Sequence, residues 1–338
     1  MVSIVEVAEL AGVSVATVSR ALQRPEKVAE ATRKRVLQAV EKTGYVTNVM
    51  ASNFRRRRSD TIVVLVPDIA NPFYSTVIQE IELVASKQGY RILLGETRQD
   101  EATEHSYGDL AVQKMADGII SLGMHIPFKC SPNRKTIDTK WPPLVMACEY
   151  QGSIPVPTIA IDNRRAAFDA TNHLIGLGHQ DIAYMSGPLD FSLCRDREEG
   201  FREAMSKAGL KVGPGRVVNG DFSLESGKIV ATELLTSTSR PSALFCTSDE
   251  QAMGAMAAAR ELGMDIPGDV SIAGFDDIPF ADYTHPPLTT VRQPMAELGR
   301  KAMETLLAIL QGRPVPAERT LLSHQLIVRA STAAPPAK

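Results

Sequence analysis

The sequence predicts a small all-α head followed by a larger α/β body built from two parallel-sheet units. Three observations carry this reading. Two short amphipathic helices separated by Gly12 open the chain, and from Thr61 onward apolar runs of strand length alternate with helical patterns, an alternation that restarts at Thr158. Charge divides at the same place: residues 1–58 hold eleven Lys or Arg against five Asp or Glu, net +6, while the rest of the 338 residues holds 26 against 34, net −8. A basic head on an acidic body directs only the head toward a polyanion.

Within the head, Ser3 and Glu6 form a capping-box pattern, and Ile4, Val7, Ala8, Leu10 and Ala11 follow at helical spacing until Gly12 stops the helix. Ser14 caps a second short helix, 15–22, with Val18, Ala21 and Leu22 on one face. Small or compact residues at Ala8, Gly12 and Val18 let the two helices cross closely, which is helix-turn-helix spacing. The opposite face of the second helix keeps Val15, Ala16, Thr17 and Arg20. Side chains that small enter the major groove and touch thymine methyls and base edges, while Arg20, Arg24, Lys27, Arg33, Lys34 and Arg35 reach phosphates. A third helix runs from about 30 to 43, weakly capped at Ala29, with Val36, Leu37 and Val40 inward and Gly44 as its stop. Beyond it, Met50 and Phe54 lie four apart beside Arg55–Arg58, as an apolar wedge flanked by phosphate-binding groups requires for kinking the minor groove.

In the body, strands are expected at 62–66, 91–94, 118–122 and 144–147, then at 158–161, 182–185, 217–219, 243–246 and 270–274. Helices are expected at about 74–87 and 101–115, and near 164–177, 195–208, 224–236 and 249–262. Continuous apolar strands between helices belong to parallel sheets covered on both faces. Gly89, Gly178, Gly209 and Gly263 fall at the helix ends. Ligands of open parallel sheets lie beyond the carboxyl ends of the strands. Those ends carry 67–74, 162–163, 186–188, 220–222, 247–249 and 275–277, and so combine carboxylates, hydroxyls and aromatics, Asp162 and Ser248 among them.

Several classes are excluded. The sequence holds no Walker loop, full G-x-G-x-x-G, H-E-x-x-H or G-x-S-x-G; Gly176-Leu177-Gly178-His179 lacks the third glycine and follows a helix, not a strand. Six histidines show no i,i+4 pairing, and four cysteines, Cys130, Cys148, Cys194 and Cys246, lie far apart, so neither a catalytic constellation, a metal site nor a cofactor is expected. No apolar stretch spans a bilayer and no export signal precedes Glu6, which makes the expected location cytoplasmic.

The string Val5-x-Val7-Ala8-x-x-Ala11-Gly12-Val13-Ser14-x-x-Thr17-Val18-Ser19-Arg20 closely resembles the signature of the lactose and galactose repressor family of bacterial transcription factors. So do Asn71-Pro72-Phe73, Gly178-His179, Arg197-x-x-Gly200-Phe201, Ser271-Ile272-x-Gly274-Phe275-Asp276-Asp277 and Pro286-Pro287-Leu288-Thr289-Thr290, and the likeness covers nearly the whole chain. It implies a helix-turn-helix domain at 1–46, a hinge helix and Arg-rich linker at 47–60, and a two-lobed body at 61–332 like the periplasmic binding proteins. Lobe one would hold 61–161 and 292–320, lobe two 162–291 and 321–332.

By the same resemblance the chain is a repressor that binds a pseudo-palindromic operator as a homodimer under control of a small molecule. Ser14, Val15, Ala16, Thr17, Ser19 and Arg20 would meet DNA from the head, and Asn48, Ala51, Phe54 and Arg55 from the hinge, where Phe54 replaces the family's usual leucine. The effector-anchoring arginine falls on Arg197 and the effector-binding aspartate on Asp276. The positions that sandwich a base in purine-responsive members fall near Phe73, Tyr74 and Phe222. Within the family, Val64-x-Val66-Pro67-Asp68-Ile69, Ile126-Pro127-Phe128 and Ile161-Asp162-Asn163 are most similar to the cytidine-responsive branch, which ranks a nucleoside above a free pentose as effector. The chain ends without the leucine heptads of the family's tetramers, so a dimer is expected. A solute-binding receptor, with the same body and no use for a basic head, is the rival.

Overall fold

The computed structural model describes residues 2–45, 58–129, 141–149, 154–316 and 319–336. The chain divides into two compact units, Met1–Ser59 and Asp60–Lys338.

The head packs α1 (Ile4–Ala11), α2 (Val15–Gln23) and α3 (Glu30–Thr43) around Val7, Ala8, Ala11, Val18, Ala21, Val36 and Ala39. Both halves of the capping box form at Ser3 and Glu6, and Gly12 ends α1 at φ +63°, a left-handed conformation open to glycine at little cost. Ser14 Oγ caps α2 by accepting from the Thr17 N–H at 3.2 Å. Two expected core residues are not core. Leu10 is 53% and Leu37 49% exposed. In α3 the buried stripe is Val36 and Ala39 with Val40 and Thr43 beside it, and Leu37 lies about 100° around the helix from Val36, outside that stripe.

The body contains two six-stranded sheets. The first orders β11 (Arg319–Leu322), β5 (Thr158–Ile161), β4 (Leu144–Ala147), β3 (Gly118–Ser121), β1 (Thr61–Val66) and β2 (Arg91–Glu96). The second orders β12 (Gln325–Ile327), β10 (Thr289–Arg292), β9 (Ser271–Asp276), β8 (Ala243–Cys246), β6 (Ile182–Ser186) and β7 (Val217–Asn219). Every pairing is parallel except β10 with β12. Strands β3, β4, β5, β6, β8 and β9 are buried from end to end, which explains their unbroken apolar reading.

Helices cover these sheets in pairs. Lobe one buries α4 (Pro72–Lys87) against α10 (Met295–Leu310), with α5 (Glu101–Val112) on its other face. Lobe two packs α6 (Asn163–Gly176) on α7 (Ser192–Lys207) and α8 (Leu224–Thr236) on α9 (Asp249–Glu261). The last pair meets at Gly227 and Gly254, where a Cβ would run into the backbone of the facing helix. Helix α10 escapes the sequence reading, although Leu298, Ala302, Met303 and Leu306 form a fully buried stripe. The chain passes between the sheets at β5 to α6, at β10 to α10, and at β11 to β12. The resemblance put the last return at 321, but Leu321 and Leu322 pair with Ala160 and Ile161 of β5, so the return falls between Leu322 and Gln325.

Candidate ligand cleft and nucleic-acid interface

On the head, Ser14, Val15, Ala16 and Arg20 are exposed, while Thr17 and Ser19 are half-buried. The Ser14 and Thr17 hydroxyls lie 2.9 Å apart, so each has a local partner in addition to any base edge. Arg20, Arg24, Lys27, Arg33 and Arg35 form no ion pair among the described residues, whereas Lys34 pairs with Glu30 at 3.2 Å. Guanidinium and ammonium groups left in water are the ones that release counterions on a phosphate backbone. Asn48, Ala51, Phe54 and Arg55 lie outside the described residues.

In the body, a cavity of about 160 Å³ opens beyond the carboxyl ends of the strands, roughly ten times the space one water needs. Residues after β1, β2 and β4 line it from lobe one, residues at or after the ends of β6, β7, β8 and β9 line it from lobe two, and Gln293 joins them where the chain leaves β10. Of the seven residues expected to bind effector, six line the cavity: Phe73, Tyr74, Arg197, Phe222, Ser248 and Asp276. Asp162 does not. It is exposed and its carboxylate accepts from the Arg165 N–H at 2.9 Å, so it caps α6 and has no place in the lining.

Arg197 is held rigidly. Its Nε donates to Asn163 Oδ1 at 2.8 Å, one terminal nitrogen donates to the Thr247 carbonyl at 2.6 Å, and the guanidinium carbon sits 3.6 Å from the Phe275 ring centroid. No described carboxylate forms an ion pair with it, so a buried cation faces the cavity with part of its donor capacity left. Asp276 accepts from Gln293 Nε2 at 2.7 Å. Burial pushes this carboxyl up to about 7, with Arg197 and the Gln293 bond acting in the opposite direction. Asp276 also adopts φ +119°, and Cys148 and Phe222 take φ +70° and +74°. Three left-handed non-glycine residues in one lining mark backbone shaped by the site, each at a cost of about 1–3 kcal/mol.

Sequence reasoning missed several lining residues. Glu149, buried just past β4, accepts from Ser192 Oγ at 3.1 Å and from the Leu193 N–H at 3.3 Å, across the lobes, and burial raises its carboxyl. Gln99, Gln293 and Phe191 also line the cavity. The rule that inspects strand ends reaches Glu149 after β4, Gln99 after β2 and Gln293 after β10; each is a single polar residue that resembles turn chemistry. Phe191 meets Phe222 edge to face at 5.8 Å, and Phe73 meets Tyr74 likewise at 5.2 Å. His179 is a core residue, bonded to Ser242, Ser271 and the Ala333 carbonyl. Among the described residues no group of three or more His, Cys, Asp or Glu could hold a metal, and no helix is long and apolar enough to cross a membrane.

Comparison with known proteins matches residues 3–48 to the family of bacterial regulatory proteins of the lacI type, and residues 171–332 to a periplasmic binding protein-like domain. The HTH-type transcriptional repressor CytR of Escherichia coli (strain K12) is 42% identical over 331 residues, covering 98% of this chain and 96% of that protein. A transcriptional regulator CelR–cellobiose complex shares 31% identity with a TM-score of 0.73 over 98% of this chain and 100% of its own. The lac repressor dimer bound to operator and the anti-inducer ONPF shares 26% with a TM-score of 0.85 over 98% and 99%. A matched DNA-binding head removes the solute-receptor rival, because such a receptor has no use for one. With a helix-turn-helix unit, a two-lobed α/β body and relatives along its whole length, the chain belongs to the LacI family of bacterial regulatory proteins and is a DNA-binding transcriptional regulator, not an enzyme.

Proposed function

We propose that the chain is a cytoplasmic repressor that binds a pseudo-palindromic operator as a homodimer and is controlled by a nucleoside. The observation that carries the effector class is the lining itself. Two edge-to-face ring pairs, Phe73–Tyr74 and Phe191–Phe222, accompany Arg197 and Asp276, so apolar faces for a base accompany a guanidinium and a carboxylate for ribose hydroxyls. The likeness to the cytidine-responsive branch supports the same class. Domain roles follow the family pattern: 1–46 reads DNA, 47–60 carries the hinge with Asn48, Ala51, Phe54 and Arg55, and 61–332 dimerises and binds effector through Phe73, Tyr74, Arg197, Phe222, Ser248 and Asp276.

Effector binding lowers operator affinity in this reading. A ligand that bridges the two lobes favours one arrangement of them, and it can shift the equilibrium only by its differential affinity for that arrangement. A free sugar is the second reading, favoured by the cellobiose-bound relative and by the same Arg–Asp pair. Calorimetry of the full chain against cytidine, adenosine, ribose and cellobiose, with gel shifts on selected operator DNA, tests the proposal. Binding of a sugar alone rejects the nucleoside; absence of any operator shift on ligand addition rejects the control.

A further inference from the structure

We infer that the cleft selects unphosphorylated ligands, accepting a nucleoside and rejecting its 5′-monophosphate, and that Glu149 enforces the choice. The ligand's identity rests on the nucleoside reading above; the discrimination against phosphate does not. Proteins hold phosphate with free N–H groups at helix N-termini and with arginine forks. Six helices begin beside residues that line this cavity, and in five of them a side-chain oxygen already occupies a first-turn N–H; the sixth, α10, follows Gln293 without a side-chain cap, and its Met295 N–H donates to the Gln293 carbonyl at 2.8 Å. Asn71 Oδ1 takes Phe73 N at 2.9 Å in α4, and Pro72 removes a further donor there. Asp100 takes Thr103 N at 2.8 Å in α5, Ser223 takes Ser226 N at 3.1 Å in α8, and Ser248 takes Gln251 N at 3.2 Å in α9.

The fifth case differs in kind. Helix α7 has no side-chain cap of its own at Phe191, and the oxygen on its Leu193 N–H comes from Glu149, 44 residues upstream and in the other lobe. The Glu149 carboxyl already occupies this helix start, which lacks a local side-chain cap. A phosphate cannot share those donors with it, whether the Glu149 carboxyl is charged or protonated.

Charge adds to the block. Asp68, Glu149, Asp221 and Asp276 line the cavity against the single guanidinium of Arg197, whose Nε and one terminal nitrogen are committed to Asn163 and Thr247. A phosphomonoester, carrying about −1.5 to −2 at neutral pH, brings acceptors to a lining with four carboxyl groups and one partly committed guanidinium. Hydroxyl and amino groups of a nucleoside bring donors that those carboxyl oxygens accept.

Calorimetry of the full chain against three matched pairs tests this: cytidine and cytidine 5′-monophosphate, adenosine and its monophosphate, ribose and ribose 5-phosphate. In whichever pair binds, the phosphorylated member should be weaker by about a hundredfold. Glu149→Gln removes the charge while keeping an oxygen for Leu193 N, and Glu149→Ala opens the helix start. The gap should shrink about tenfold in the first and further in the second, through tighter binding of the phosphorylated member. A monophosphate bound by the wild type as tightly as its nucleoside overturns the inference, and a gap unchanged in both variants overturns the role of Glu149. Should only the ribose pair bind, the nucleoside reading fails while that pair still decides the discrimination.

Discussion

Strand order in the first sheet, β11-β5-β4-β3-β1-β2, repeats in the second as β12-β10-β9-β8-β6-β7, yet the two lobes prepare their cleft residues differently. Lobe two locks its polar groups to itself. Arg197 is tied to Asn163 and Thr247, Ser248 Oγ donates to the Phe222 carbonyl at 3.0 Å, and buried Asp249 holds Thr290 and, at 2.8 Å, the Ile278 N–H behind Asp276. Among the described residues, the cleft side chains of lobe one form no such network. Its buried cleft carboxyl, Glu149, is held by Ser192 and Leu193 of the opposite lobe, and Asp68 accepts within its own turn from the Ala70 N–H. One lobe is therefore preorganised for a ligand before closure, and the other gains its order by docking onto the first. Equal sheets can thus divide recognition unequally, because the loops at the strand ends, not the strands, carry the difference.

The strongest break in this comparison comes from Arg197→Ala. Removing a buried, hydrogen-bonded guanidinium from the preorganised lobe should weaken effector binding by about a hundredfold or more, with Arg197→Lys recovering little because an ammonium lacks the planar fork. Titration calorimetry reads both variants, and near-normal affinity in the alanine variant would remove lobe two from its leading role. On the lobe-one side, Tyr74→Leu takes away one aromatic face and should cost about tenfold, by the same assay. A loss equal to that of Arg197→Ala would show the two lobes to be equivalent partners.

Proton linkage sharpens the picture further. Burial raises Asp276 to about 7, and ligand hydroxyls that donate to it favour its ionised form. Ligand binding then expels a proton below that pH, so affinity should fall as the solution is acidified below about 7, by up to about tenfold per pH unit for one proton, and level off above it. Glu149, raised by burial as well, adds to the same trend. Asp276→Asn should flatten the profile near Asp276's titration; a profile that keeps its full slope in this variant assigns the proton elsewhere. The smallest effect belongs to Asp162→Ala. Loss of the α6 cap should lower stability by about 1 kcal/mol in chemical denaturation while effector affinity changes by less than about twofold.

Much of the fold is legible in the residues themselves. Parallel strands buried on both faces read as unbroken apolar runs, as in β1 and β9, and Gly89, Gly178, Gly209 and Gly263 each end a helix at positive φ. Helix α10 is hidden because it follows β10, a strand of threonines, Val291 and Arg292 with no apolar run to announce the unit. Leu10 and Leu37 mislead because apolar character, not angular position, makes them look internal. In the cleft, Arg197 and Asp276 are legible through the motifs that contain them. Glu149 is not, since its importance arises from a contact between segments 44 residues apart that no local pattern encodes.

The threefold passage of the chain between the sheets also sets an order of events during synthesis. Lobe one needs α10 and β11, and lobe two needs β12 and the residues after it, with Ser331 fully buried and the Ala333 carbonyl bonded to Ser271. Neither lobe is complete until the last tenth of the sequence has left the ribosome. The buried core residues described in the head lie between Val7 and Ala39, so this core can form roughly tens of seconds earlier at ordinary elongation rates. A nascent chain therefore owns its DNA-reading surface well before it owns a sensor. A truncation between α10 and β11 leaves a folded head attached to two unfinished lobes, a reader without its sensor.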